Sequence, residues 1–333
     1  MQVELKARDY GIDWLKAFAI ILMVLGHAIQ YSLVSNFDSN IIFRLIYSFH
    51  MPLFICISGY LISPGKNIGF LWKQFKLLII PFLLWMVLYS LYYRRMDLHN
   101  RNWAILPNYY LQVFQSPGKG GLWFLWALYV VDVFYFFLRK SRYFYLLSVS
   151  VVVLMYALTL YSPELNFYGL GLFKIYYPYF LLGCFLRQYQ IADKIKKWQV
   201  ILLIVVMVFF QIAWARTGSV YAFGMPIAHD NNSIYALIVR ILTPVPVLLL
   251  LFKLSRYCRK SNVVVQWLSV NTLSVYASHF MWVYLFVYLL SSTILERSDV
   301  EIFIVFIVAL VLTWATVAGI NRVPVVRKLL FGR

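Results

Sequence analysis

The sequence predicts an all-α integral membrane protein, a single bundle of about ten transmembrane helices with both termini in the cytoplasm. Three observations predict it. Apolar residues make up 63% of the 333 and charged residues only 13%, against roughly 45–50% and 25% in soluble chains. Ten apolar stretches approach the ~20 residues that a helix needs to cross ~30 Å of hydrocarbon. Lys and Arg gather in every second connection between those stretches, which is the positive-inside pattern.

The spans run in order as follows. Residues 14–34 are too long an apolar run for a removable signal peptide, carry Lys16 and His27, and are followed by no small-residue cleavage site, so this segment stays as a span. Residues 41–62 hold His50, and 70–92 begin in a basic stretch with Lys73 and Lys76. Residues 121–138 contain Asp132, and 143–161 follow with no charged residue. The sixth span, 173–187, is short and interrupted by Pro178 and Gly183. Residues 199–215, 233–252, 267–290 and 301–320 complete the set, the ninth carrying His279.

Counting cations on alternate sides tests this order. One side receives Lys6, Arg8, Lys16, Lys66, Lys73, Lys76, Arg139, Lys140, Arg142, Arg187, Lys194, Lys196 and Lys197. It also takes Lys253, Arg256, Arg259, Lys260, Arg322, Arg327, Lys328 and Arg333, which makes 21 of the 30. The other side has 7: Arg94, Arg95, Arg101, Lys119, Lys174, Arg216 and Arg297. Arg44 and Arg240 lie inside spans. A wrong span count would scramble this alternation, so the rich side is read as cytoplasmic. The net charge of +18 is then spread over short loops facing anionic lipid, and no nucleic-acid partner is implied. Cys56, Cys184 and Cys258 fall in two spans and a loop, so no disulfide framework is expected.

No soluble domain, low-complexity tract or internal repeat is evident, and residues 1–333 read as one domain. The longest outer connection, 93–120, holds His99, Trp103, Tyr109, Tyr110 and the turn-like Ser116–Gly121, with room for a short interfacial helix. A second outer loop, 216–232, carries Arg216, Pro226, His229 and Asp230. Outer loops on a rigid scaffold commonly carry recognition, so acceptor choice is expected there.

Ionisable groups at hydrocarbon depth are costly and mark function. Lys16 and His27 are eleven residues apart; at ~100° per residue they share a helix face, separated by ~16 Å of rise. Lys16 thus stands at the cytoplasmic boundary and His27 near the midplane, with Asp13 one turn before Lys16 to pair with it or orient it. His50, Asp132 and His279 fall at similar depth, which predicts one shared chamber or proton relay. The bland alternatives are a histidine bonded to a neighbouring helix, a Lys16 that snorkels to headgroups, and an Asp132 paired with Arg240. No spacing among the histidines supports a metal site, and none is expected.

The strings RDYGIDWLKAFAIILMVLGH, YSFHMPLFICISGYLI, KQFKLLIIPFLLW, GLWFLWALYVVDV, YPYFLLGCFLR and LSVNTLSVYASHF resemble, in that order, the acyltransferase-3 family of integral membrane O-acyltransferases, closest to its fucose O-acetylase-like branch. The resemblance covers residues 8 to about 285. Its most specific element is a basic residue followed after ten residues by a histidine, here Lys16 and His27; arginine is commoner at the first position, and Lys supplies a point charge in place of a bidentate fork. It implies transfer of an acetyl group from cytoplasmic acetyl-CoA to a hydroxyl of a cell-surface or lipid-linked glycan in the bacterial inner membrane. Coenzyme A phosphates would meet Lys16, Lys73 and Lys76. His27 would serve as base or acyl carrier, with His50 or Ser58 orienting it or stabilising an oxyanion. His279, Tyr276 and Ser278 would close the chamber, and Trp123 would shape it. A proton-coupled transporter or glycan exporter is the competing class, and a glycan polymerase or ligase a third.

In a variant with its three cysteines replaced by serine, a cysteine at Ser141 should react with a membrane-impermeant maleimide only after permeabilisation. One at Ser116 should react in intact cells; the opposite pattern would invert the topology.

Overall fold

The computed structural model describes residues 8–34, 37–63, 68–93, 105–117, 121–162, 168–214, 220–222, 225–228, 234–291 and 298–333. Lys6, Lys66, Arg94, Arg95, His99, Arg101, Trp103, Lys119, Arg216, His229, Asp230 and Arg297 lie outside the described residues.

Apolar sequence and side-chain caps together set the helices. α1 (Tyr10–Leu33) starts where the Asp9 carboxylate accepts the Ile12 N–H, and α2 (Ile41–Leu61) where Asn40 accepts from Phe43, each satisfying an orphan donor of the first turn. α3 (Gly69–Gln74) passes through a π-helical segment, Phe75–Ile79, into α4 (Ile80–Tyr93). α5 (Ile105–Gln115) is the short helix expected in the long connection. α6 (Trp123–Leu138), α7 (Phe144–Tyr161), α8 (Leu170–Tyr189) and α9 (Lys197–Ala213) follow. Then come α10 (Ile234–Leu242), α11 (Pro244–Ser255), α12 (Val263–Val270), α13 (Thr272–Leu290), α14 (Asp299–Asn321) and α15 (Pro324–Phe331).

Among the described residues, six helical segments are long and apolar enough to cross a membrane: Tyr10–Leu33, Ile41–Leu61, Gly69–Tyr92, Ile238–Ser255, Thr272–Leu290 and Asp299–Asn321. Trp123–Leu138, Phe144–Thr159 and Lys197–Ile212 are shorter apolar helices. The architecture departs from the sequence expectation in four places. The sixth segment is a full helix, α8, with Pro178 inside it. The eighth breaks at Thr243, where Pro244, lacking an N–H, begins a new helix. The ninth breaks at Asn271, whose amide donates to Trp267 O (2.8 Å). The chain is not wholly α-helical: Val220–Ala222 and Met225–Ala228 pair as a short antiparallel ribbon in the connection between α9 and α10.

α1 is the hub, packed against α2, α11, α12, α13 and α14. Its residues Ala19, Ile20, Met23, Val24 and Ala28 are fully buried. By contrast α9 and α14 leave Ile201, Leu202, Val205, Phe303, Val311 and Trp314 exposed, as lipid-facing helices do. α2 and α8 meet backbone to backbone. A Cβ on Gly59 would lie 2.0 Å from Phe180 O, and one on Gly183 2.0 Å from Cys56 O. Small residues let helices approach this closely in a membrane, where packing rather than water drives association.

Gly59→Ala and Gly183→Ala should each cost about 1–3 kcal/mol through overpacking and lower Tm in detergent. Gly319→Ala, with nothing within 4 Å of its new Cβ, should not lower it.

Candidate active site

Two cavities adjoin Tyr276 of α13. The first, of 360 Å³, is lined by Lys16, Ser58, Gln74, Asp132, Tyr276 and Arg333 together with apolar side chains. The second, of 320 Å³, is lined by His27, Tyr47, His50, Trp123, Arg240 and Tyr276 among others. Phe124 lines the first and its neighbour Trp123 the second. The Tyr276 hydroxyl accepts from Phe124 N (3.2 Å) and donates to Gly121 O (3.3 Å). Its ring lies 5.4 Å from that of Phe124, which in turn packs 5.8 Å from Phe54. These aromatic rings form the partition between the cavity of Lys16 and Arg333 and the cavity of His27, His50 and Arg240.

The three histidines converge as the sequence indicated. The His27 ring lies 5.2 Å from that of His279 and 4.3 Å from Phe280. Tyr47 bridges His27 and His50, with centroids 6.0 and 4.9 Å away. Their protonation follows from their partners. His50 Nδ1 faces Ile46 O at 2.8 Å, and His279 Nδ1 faces Tyr276 O at 2.8 Å and Val275 O at 3.2 Å. A carbonyl only accepts, so both Nδ1 atoms carry the proton and both Nε2 atoms the lone pair. His279 Nε2 is buried without a hydrogen-bond partner among the described residues. At His27, Tyr47 donates its hydroxyl proton to Gln30 Oε1 (2.5 Å). The Tyr47 oxygen (3.0 Å) and Gln30 Oε1 (3.2 Å) are then both acceptors for His27 Nδ1–H. His27 Nε2 is left as the basic nitrogen.

The remaining candidates divide between the cavities. Asp132 and Ser58 belong to the Lys16 cavity, not to the histidines, because Phe124 and Tyr276 intervene; the Ser58 hydroxyl is turned to its own helix, donating to Phe54 O (2.9 Å). Arg240 lines the His27 cavity, so Asp132 and Arg240 do not share one. Ser278 donates to Ser274 O (2.8 Å) and lines neither cavity; Tyr276 alone of that pair closes the chamber. Trp123 stacks on Tyr176 at 5.1 Å in the chamber wall. Asp13 does not serve Lys16 as its main partner. Its carboxylate binds Arg8 Nε at 2.5 Å and accepts from Ser269 Oγ at 2.6 Å, tying α1 to α12.

Lys16 lines its cavity as expected, but Lys73 and Lys76 do not. The inward face of that segment is Gln74, Leu77 and Leu78, spaced three and four apart, which turns both lysines outward; Lys76 Nζ sits 4.9 Å over the Trp72 ring. The second cation is Arg333, which donates to Val270 O, Asn271 Oδ1 and, at 3.1 Å, Ser274 Oγ. Burial, and then the charge of Arg327, hold its pKa below the ordinary value, though a guanidinium stays charged. Sequence reasoning missed Arg333, Tyr47 and Gln30. Gln30 is three residues after His27 and Tyr47 three before His50, so helical spacing carried a signal for both; Arg333 carried none. Among the described residues, no group of three His, Cys, Asp or Glu side chains is placed to hold a metal ion.

A family model described as an acyltransferase domain matches residues 9–319. Nodulation protein NolL of Sinorhizobium fredii is 32% identical over 195 residues, covering 54% of this chain and 49% of that protein. NolL of Mesorhizobium japonicum is 27% identical over 196 residues, covering 54% and 48%. The chain thus spans about half the length of the curated relatives it matches. No solved structure matches it.

Nitrogen NMR of ¹⁵N-histidine-labelled protein should show His50 and His279 as Nδ1–H tautomers at neutral pH. Nε2–H signals for both would contradict the assignment.

Proposed function

The chain belongs to the acyltransferase-3 family, and from that premise we propose that it moves an acetyl group from cytoplasmic acetyl-CoA to a hydroxyl of a cell-surface or lipid-linked glycan in the bacterial inner membrane. The observation that carries this reading is the pair of cavities meeting at Tyr276, with Lys16 and Arg333 in one and His27, beside Arg240, in the other. Coenzyme A is polyanionic. Lys16 and Arg333 supply positive charge for charge-assisted hydrogen bonds to it, while the exposed Lys73 and Lys76 help to attract it to the same end. The acetyl thioester extends past the Phe124–Tyr276 partition toward His27, which lies ~16 Å along α1 from Lys16.

The acceptor hydroxyl enters the His27 cavity beside Trp123, Tyr176 and Arg240. His27 Nε2 takes the hydroxyl proton as the oxygen attacks the thioester carbonyl. The tetrahedral oxyanion collapses, the C–S bond breaks, and the imidazolium returns its proton to the departing coenzyme A thiolate. Tyr47 and Gln30 fix the ring so that the basic nitrogen faces the reaction, and the Nδ1–H bond to them strengthens as the ring becomes cationic. Acetyl transfer through His27 itself uses the same geometry: Nε2 attacks first and expels the coenzyme A thiolate, and the acceptor hydroxyl then attacks the acetyl-imidazolium, frees the neutral imidazole and gives its proton to the thiolate.

Purified protein in nanodiscs, given radiolabelled acetyl-CoA and a lipid-linked glycan extract of its host, should label the glycan. His27→Ala should lower kcat by about 10²–10⁴-fold, the usual contribution of a general base. Lys16→Ala should raise the donor KM about tenfold or more, as loss of a charged hydrogen bond of ~1.5–3 kcal/mol requires, and Lys16→Arg should restore most of it. Full transfer by His27→Ala would overturn the mechanism.

A further inference from the structure

A third cavity, of 670 Å³, opens at the end of the bundle that carries Lys16, among the ends of α2, α6 and α8. Three arginines line it: Arg139, which caps α6, Arg142 in the turn that follows, and Arg187 in the last turn of α8. No acidic side chain lines it, and among the described residues none of the three arginines makes an ion pair.

Arginines at helix ends often do no more than complement the helix dipole and face headgroups. Here they surround a cavity between helices and are held with hydrogen-bonding capacity unspent. Arg187 is fixed through one nitrogen, donating to Tyr60 O (3.2 Å) and Ile62 O (2.8 Å), which leaves the other edge of its fork. Arg139 Nε is buried with no hydrogen-bond partner among the described residues, while its guanidinium lies 5.0 Å from the Phe136 ring. The neutral lining points the same way. Gln188 Oε1 is occupied by the Tyr145 hydroxyl (2.7 Å), so its NH₂ remains to donate. Ser141 Oγ accepts from Tyr143 N (3.1 Å), so its O–H remains as well. Like charges on one cavity wall without a counter-charge repel one another, and an oxyanion that accepts from several donors relieves that repulsion.

We propose that this cavity is a phosphate-binding site, which takes a phosphomonoester or phosphodiester group in bidentate contact with Arg139, Arg142 and Arg187. Two sources present that chemistry: a nucleotide from solution and the headgroup of an anionic inner-leaflet lipid. Ile62 lines both this cavity and the Lys16 cavity. A ligand anchored here by its phosphates can therefore extend an arm into the Lys16 cavity, and only that further use rests on the acetyl-transfer reading.

The test uses the full chain in nanodiscs, comparing wild type, Arg142→Gln and Arg139→Gln/Arg142→Gln; Arg187 is kept because it anchors the end of α2. Adenosine 3′,5′-bisphosphate and inorganic phosphate are titrated against thermal unfolding in phosphatidylcholine discs. Retained phosphatidylglycerol is counted by native mass spectrometry after mixed-lipid reconstitution. The nucleotide source predicts at least about a tenfold weaker Kd for the bisphosphate in the double variant, a loss of ~1.4 kcal/mol, and a smaller loss in Arg142→Gln. The lipid source predicts one phosphatidylglycerol retained by wild type and lost from the double variant, with no nucleotide effect. Folded variants that match wild type in both arms overturn the site. Absence of acetyl transfer by wild type, with phosphate binding still arginine-dependent, would sink the enzymatic reading and leave this one standing.

Discussion

A polar hydrogen buried at hydrocarbon depth has no water to bond, and the bundle must supply an acceptor for it. That constraint organises the histidines. His50 and His279 give their Nδ1–H to carbonyls of their own helices, a solution that needs no partner helix and fixes each ring. His27 gives its Nδ1–H to Tyr47 and Gln30, so its orientation depends on α1 and α2 staying in register. The same bond that satisfies the buried N–H leaves the other nitrogen basic.

That register rests on how closely the surrounding helices pack. Glycine contacts between α2 and α8 bring their backbones together at Gly59 and Gly183, where even a methyl group would collide with a carbonyl. At the Lys16 end, Gly11 lets α1 pass within reach of Ser255 O. There Asp13, held by Arg8 and Ser269, ties the hub helix to α12. Lys16 and His27 are therefore set by contacts at both ends of α1, not by the helix alone.

Dividing the interior at Tyr276 has a chemical logic. Nearby positive charge disfavours imidazolium formation and lowers the basicity of an imidazole, so the distance of Lys16 and Arg333 from His27 favours the base proposed for it, while Arg240 is the cation that shares the His27 cavity. The Phe54, Phe124 and Tyr276 rings keep Lys16 and Arg333 from the histidines while leaving the Tyr276 hydroxyl bonded to backbone on both sides. The arginine-lined cavity lies on the Lys16 side of that division.

A helical membrane chain and the approximate positions of its apolar helices were legible in the sequence, because apolar length and the 3.6-residue period act locally along one chain. The convergence of His27, His50 and His279 was legible as shared depth, since each rise is counted along its own helix. Depth does not fix azimuth. For that reason Asp132 and Ser58, at suitable heights, fall across the partition from His27, and Lys73 and Lys76 turn outward while Arg333 enters the cavity. The breaks at Thr243 and Asn271 have local causes, in Pro244 and in the Asn271 side chain, that a count of apolar length passes over. The sequence by itself determined what could be buried in lipid and how deep; only the packing of helix against helix decided which buried groups face one another.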